Sequence, residues 1–407
     1  MTDCLYSSNH PRGFWHLEPD PSEDLWLEAI RRAIPVLGLP EQPADLETTL
    51  SLTLGEAQFG PDRWRLSQAR RLYYILKPIF PRTFIKFVQC LNAKSAMDAF
   101  PLHWSIEERY AQFQWEIIRQ LALEMGITSL NFRHFWPGGR RYAVVLTHDI
   151  ETKKGQAFAG AIADLEESLG FRSSFNFVPE RYALDHGLIQ ELSARGFEIG
   201  IHGLKHDGKL YCSKSFYTNR AEQINHYLQE FNAVGFRSPL MHRNPEWLQE
   251  LQIEYDLSFF DTDPYQSMPG GCMSIWPFFI GHFVELPYTL AQDCTTCYVL
   301  GEKTPRLWLE KLAFIEKYCG MALLNTHPDY LLESKIWNLY VAFLNALTER
   351  ENQWHALPNE AASWWRKRHI TPSGQEPPEM IPGTIILEND HINICLLEYF
   401  ISESFYW

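Results

Sequence analysis

Three short stretches of the chain carry the residue types of metal-assisted acid–base chemistry. Thr147-His-Asp149-Ile-Glu151 supplies two carboxylates, His202-Gly-Leu-Lys-His206 two imidazoles, and Asn325-Thr-His327-Pro-Asp329 a third imidazole. Two His nitrogens and one carboxylate leave a tetrahedral Zn2+ with a position open to water, which is how catalytic rather than structural zinc sites are made. The same ligand set suits Co2+ or Ni2+. Each stretch alone says little. A His-x3-His pair without Glu after its first His is not the helical metalloprotease motif, and Asp-x-Glu after a strand commonly caps a turn. What gives them weight is that each stretch follows a candidate strand.

Those strands are legible as short apolar runs. Tyr142–Thr147, Ser173–Val178, Phe197–Ile201, Leu257–Phe260, Phe283–Leu286 and Met321–Asn325 alternate with helical spacing at Gln156–Leu169, Ile189–Arg195, Arg220–Phe231 and Arg306–Tyr318. This is the pattern of parallel βα units, whose C-terminal strand ends collect on one face and bring distant residues together. Residues 1–139 read as a mainly helical region, with helices expected over 24–34, 63–79 and 106–125 and no strand. Residues 140–350 form the sheet domain, and 351–407 a C-terminal extension packing on it, with a strand near Thr384–Leu387 and a helix near Ile392–Leu397.

On these stretches the chain resembles the polysaccharide deacetylase family, carbohydrate esterase family four, over about residues 141–330. Thr147-His-Asp149-Ile-Glu151 resembles the family's first motif, with Ile150 where a second Asp is usual. Gly196–His206 resembles the second, and Phe236-Arg237-Ser-Pro239-Leu240 the third, with Leu240 in place of Tyr. Phe260-Asp261-Thr-Asp263 is similar to the fourth without its usual Trp, and Leu324-Asn-Thr-His327 to the fifth. The resemblance implies an α/β fold, a distorted and incomplete (β/α) barrel of parallel strands. It implies Glu151, His202 and His206 as metal ligands and Asp149 as the base, with the exchange of the two acids left open. It further implies Arg237 as partner of Asp149, His327 as the acid oriented by Asp261 or Asp263, and the Leu240 N–H as oxyanion donor. The activity implied is removal of N-acetyl groups from an amino sugar in a glycan or glycan precursor. Two rivals stand beside it: a same-fold hydrolase of another non-peptide C–N bond, and a noncatalytic metal- or sugar-binding relative.

Composition narrows the partners. With 36 basic and 50 acidic residues the net charge is -14, a poor fit to a surface that neutralises nucleic-acid phosphates. At 45% apolar the chain has ample core, and no apolar run reaches the ~18 residues of a membrane helix. Without a recognisable leader the expectation is a cytoplasmic protein with eight reduced cysteines. Cys294-Thr-Thr-Cys297 has no second pair and reads as loop thiols, while Trp247, Trp276 and Tyr288 read as core before sugar platforms. Residues 63–94 hold eight basic side chains and no acid among aromatics, which suits an anionic membrane face or, equally, a solvated face.

Overall fold

The computed structural model describes residues 5–65, 97–98, 100–388 and 391–396; most of the basic stretch 63–94, including Arg70 and Arg71, lies outside them. Its strands are β1 (Leu17–Glu18), β2 (Ser129–Arg133), β3 (Tyr142–Ile150), β4 (Ser174–Phe177), β5 (Glu198–His202), β6 (Gly235–Arg237), β7 (Tyr255–Asp256), β8 (Phe278–Ile280), β9 (Phe283–Glu285), β10 (Met321–Thr326), β11 (Gln353–His355), β12 (Pro382–Glu388) and β13 (His391–Leu396).

Nine of them form one curled sheet in the order β10-β3-β4-β5-β6-β7-β9-β8, with β11 also paired to β3. Every pairing is parallel except β8 with β9. All nine residues of β3 are buried, as is usual for a strand of a parallel sheet. The sheet stays open as an incomplete barrel, and the chain after β9 crosses the gap through parallel bridges Phe260↔Tyr288 and Leu290↔Leu324. Of the strand expected at Leu257–Phe260, only the bridge at Phe260 is present. The pairing strand lies just before it, at Tyr255–Asp256, where Asp256 is registered with both Phe236 and Glu285; beyond it the Ser258 hydroxyl turns back to donate to Asp256 Oδ1 at 2.8 Å.

The helices expected at 24–34 and 106–125 are present as Glu23–Ala33 and Arg109–Met125. The absence of strands before residue 140 is not: β2 pairs with β1 and β12 in a second, antiparallel sheet ordered β1-β2-β12-β13. The helix expected near Ile392 is also replaced, by β13, which runs antiparallel to β12 from Gly383↔Leu396 to Glu388↔His391. Apolar residues at 392, 394 and 396 recur every second position, the period of a strand. Chain start and chain end thus share one sheet. A buried ion pair adds to this: Arg243, after β6, donates through Nε to Glu56 Oε2 at 2.7 Å, and both side chains are 2% exposed. Among the described residues no helix is long and apolar enough to cross a membrane.

Candidate metal centre and its acid–base flank

The strand period decides which residues of the first stretch meet the centre. His148 points outward, its ring nitrogens at 2.7 Å from Thr326 Oγ1 and 2.7 Å from Glu166 Oε1. Its neighbours Thr147 and Asp149 point inward. Asp149 Oδ1 accepts from Asn176 Nδ2 at 3.0 Å and Arg237 Nη1 at 3.0 Å, and Oδ2 accepts from Asn325 Nδ2 at 2.9 Å. Donors from β4, β6 and β10 therefore converge on one carboxylate of β3. Burial opposes its charge, but Arg237, with His202 and His327, holds it well below the usual carboxylate range. Arg237 is in turn locked by Leu257 O at 3.0 Å, Thr147 Oγ1 at 2.9 Å and Asn325 Oδ1 at 2.6 Å. Room for Asn176 comes from Gly200 on the adjoining strand, where a Cβ would stand 2.1 Å from Asn176 Oδ1.

Beyond β3, Thr152 ends the strand by capping the helix Lys153–Ser168, its Oγ1 accepting from Lys154 N and Gly155 N. This turn displays Glu151 at the strand end. Glu151, His202 and His206 each offer a ligand atom, and these lie within 4.8 Å of one another. His206 Nε2 is 3.0 Å from Glu151 Oε1, and His202 Nε2 is 4.0 Å from the same oxygen. His202 Nδ1 donates to the Arg237 carbonyl at 3.1 Å, which fixes the tautomer and leaves an Nε2 lone pair. The Nε2 atoms of His202 and His206 are buried and, among the described residues, have no hydrogen-bond partner, His206 Nε2 meeting Glu151 only as an ion-pair contact. Burial lowers the His202 pKa to about 4, so the ring is neutral near pH 7, as a ligand must be. Two orphaned imidazole nitrogens facing a carboxylate fit a divalent metal, which would also satisfy atoms otherwise costly to bury.

His202 hands the chain into Gly203 at φ 64°, where a Cβ would meet Pro239 Cγ at 2.2 Å. The Arg237-Ser-Pro239-Leu240 segment thereby lies directly on the second stretch. Leu240 itself takes φ 60° inside the tight turn Pro239–Met241, and its carbonyl accepts from Ser267 Oγ at 2.8 Å.

His327 stands on the other side, its Nε2 3.8 Å from Glu151 Oε1. Its orienting acid is neither Asp261 nor Asp263, as expected above, but Asp293, which accepts from His327 N at 2.7 Å and Nδ1 at 2.8 Å. Burial works against the imidazolium, yet Asp293, with Glu151 and Asp149, raises the His327 pKa to about 9. Asp261 is spent on Lys311, whose ammonium also reaches Ser105 O. Asp263 accepts from Tyr288 Oη at 2.6 Å and from Tyr265 N at 2.8 Å. Both hold loops rather than the imidazole.

Sequence reasoning missed Asn176, Asn325 and Asp293. The two asparagines carried a usable signal, a polar residue at an inward position of an apolar strand. Asp293 carried none, because its contact depends on the crossing segment that reaches β10. Trp276 and Tyr288 are core, each 1% exposed, and Trp247 stacks on Tyr211 with ring centroids 6.0 Å apart.

No family profile and no curated protein matches the sequence. In fold, the chain is similar to a solved structure from Mycobacterium smegmatis assigned as a polysaccharide deacetylase, at 20% identity and a TM-score of 0.48, over 60% of this chain and 96% of that one. It is similar to the PuuE allantoinase at 13% identity and a TM-score of 0.44, over 60% of this chain and 94% of that one. A structure from Pseudomonas aeruginosa PAO1, also assigned as a polysaccharide deacetylase, gives 13% identity and a TM-score of 0.45 over 57% of this chain and 94% of that one.

Proposed function

We propose that the chain is a metal-dependent hydrolase that removes N-acetyl groups from an amino sugar in a glycan or glycan precursor. The observation that carries this reading is the meeting of two orphaned buried imidazole nitrogens and Glu151 between an ionised Asp149 and a protonated His327. A binding module needs the ligands alone; an acid and a base set apart by environment serve a proton transfer on each side of a bond.

Glu151, His202 and His206 would hold the metal, Zn2+ or another borderline ion such as Co2+ or Ni2+, which when bound acidifies water and polarises an amide carbonyl. Asp149 takes the proton of the attacking water, its aim kept by Arg237, Asn176 and Asn325. Water oxygen bonds to the acetyl carbon, the C–N bond breaks, and His327 gives its Nε2 proton to the leaving nitrogen while Asp293 keeps Nδ1. The Leu240 N–H is the donor we assign to the developing oxyanion. Acetate and a free amino sugar result.

All of these groups address the amide and none reads a sugar ring, which keeps hydrolysis of another non-peptide C–N bond as a second reading. Metal content of the purified chain, followed by amine release from N-acetylated amino sugars and a cyclic ureide, tests both. About one metal per chain with amine release from the sugars is expected. Metal-free protein, or metal-loaded protein inert on every N-acetylated sugar, would sink the proposal, and turnover of the ureide alone would replace it with the second reading.

A further inference from the structure

On the barrel's flank, the helix Pro358–Ile370 carries a cation with no acid beside it among the described residues. Arg368 is 1% exposed, and its Nε donates to His134 O at 3.0 Å. Nη2 donates to Phe14 O at 2.7 Å and Arg133 O at 2.7 Å, and the rings of Phe135 and Trp365 lie 5.0 and 5.4 Å from the guanidinium carbon. Nη1 has no acceptor among the described residues. The other buried arginines there are each matched by a carboxylate: Arg133 by Glu376, Arg237 by Asp149 and Arg243 by Glu56.

Arg368 lines a cleft with about 20 Å³ of room for the centre of a water-sized particle, shared with Asn9, Tyr110, Ser274, Trp365 and His369. That is enough for one small occupant. No Asp or Glu lines it, although acids outnumber bases along the chain 50 to 36. The Tyr110 hydroxyl accepts from Gln114 Nε2 at 3.2 Å and keeps its own proton to donate. Burial, and then Arg133, lower the Arg368 pKa to about 9, so the group stays charged near pH 7. The neighbouring His16, His134 and His369 are all pushed toward the neutral form, first by burial and then by Arg368.

An isolated buried cation is costly unless it is matched, and three carbonyl dipoles and two ring faces supply no full negative charge. We propose that this cleft binds one chloride-sized monovalent anion, seated against Arg368 Nη1. The occupant completes the charge pairing that every other buried arginine of the described chain already has.

Crystals of the full chain grown in bromide, together with thermal unfolding in potassium chloride and in potassium gluconate at equal ionic strength, test it. An anomalous bromide peak at hydrogen-bonding distance from Nη1 is expected, with Tm rising by about 2 °C for each tenfold increase of chloride above its Kd. Arg368→Met should lose both effects; if that variant does not fold, bromide diffraction on the unaltered chain decides alone. A water without anomalous signal at Nη1, or equal Tm in the two salts, overturns the proposal.

Discussion

Asp149 has each carboxylate oxygen bonded by neutral amides, and one also by a guanidinium, so its charge and its direction are set by the same three side chains. Asp149→Asn should therefore keep the fold and the metal while turnover falls by about 10²–10⁴-fold, as loss of a general base does; mass spectrometry for metal and an amine-release assay separate the two. For His327 the controlling partner is Asp293. A histidine whose folded pKa is raised above about 6.5 keeps its proton until pH passes the folded value, so the alkaline limb of activity lies toward about 9. Asp293→Asn should move that limb toward acid by about one to two pH units, and an unmoved limb would separate Asp293 from the acid. At this scale the types at strand ends were legible, because two imidazoles and two carboxylates in such places have few other uses. Asp293 was not, since nothing in Ala-Gln-Asp-Cys announces a contact 34 residues downstream.

Strands place the side chains, and one tight constraint on them is the close pass of Gly203 under Pro239. Gly203→Ala meets two penalties: a left-handed φ worth about 1–2 kcal/mol and a ring carbon 2.2 Å from the new Cβ. The variant should unfold at lower denaturant and bind metal more weakly, because His202 precedes the displaced residue; denaturant midpoint and metal content measured together check this. Glu198, at the start of β5, joins three elements, accepting from Tyr255 Oη on β7 at 2.7 Å and from Asn359 N at 3.0 Å. Burial raises its pKa to about 7. A carboxyl raised in the folded state contributes stability that is complete below its ordinary value near 4.5 and is lost as pH climbs through about 7. The Tm of Glu198→Gln relative to the unaltered chain should thus improve from about pH 5 to about pH 8, and a constant difference would contradict the assignment. Parallel strands were legible as dense apolar runs, whereas β6, β7 and β8, at two or three residues each, are too short to show a period.

Across the whole molecule, the residues before 140 and after 380 are held to each other by pairings that no local pattern could announce. Leu130 and Phe132 alternate as strand residues do, but their partners Ile385 and Gly383 lie about 250 positions away. The Glu56–Arg243 pair fastens the same region from the other side and is also met by Gly271 N at 2.8 Å. Glu56→Ala, which strands a buried guanidinium, should cost about 3–5 kcal/mol in a denaturation experiment, and adding Arg243→Met should restore much of it. The adjacency of β10 and β3 has a consequence in time. Asn325 is made 176 residues after Asp149, which at ~5–20 residues per second is roughly 10–35 s of synthesis. Glu151, His202 and His206 are all present once His206 is made, 119 residues before Asn325, and from then until β10 appears β3 has a bare edge and the His327 acid does not yet exist. The nascent chain can thus hold its metal-binding residues before it can hold its chemistry, and its need for protection from wrong strand partners is greatest in that window.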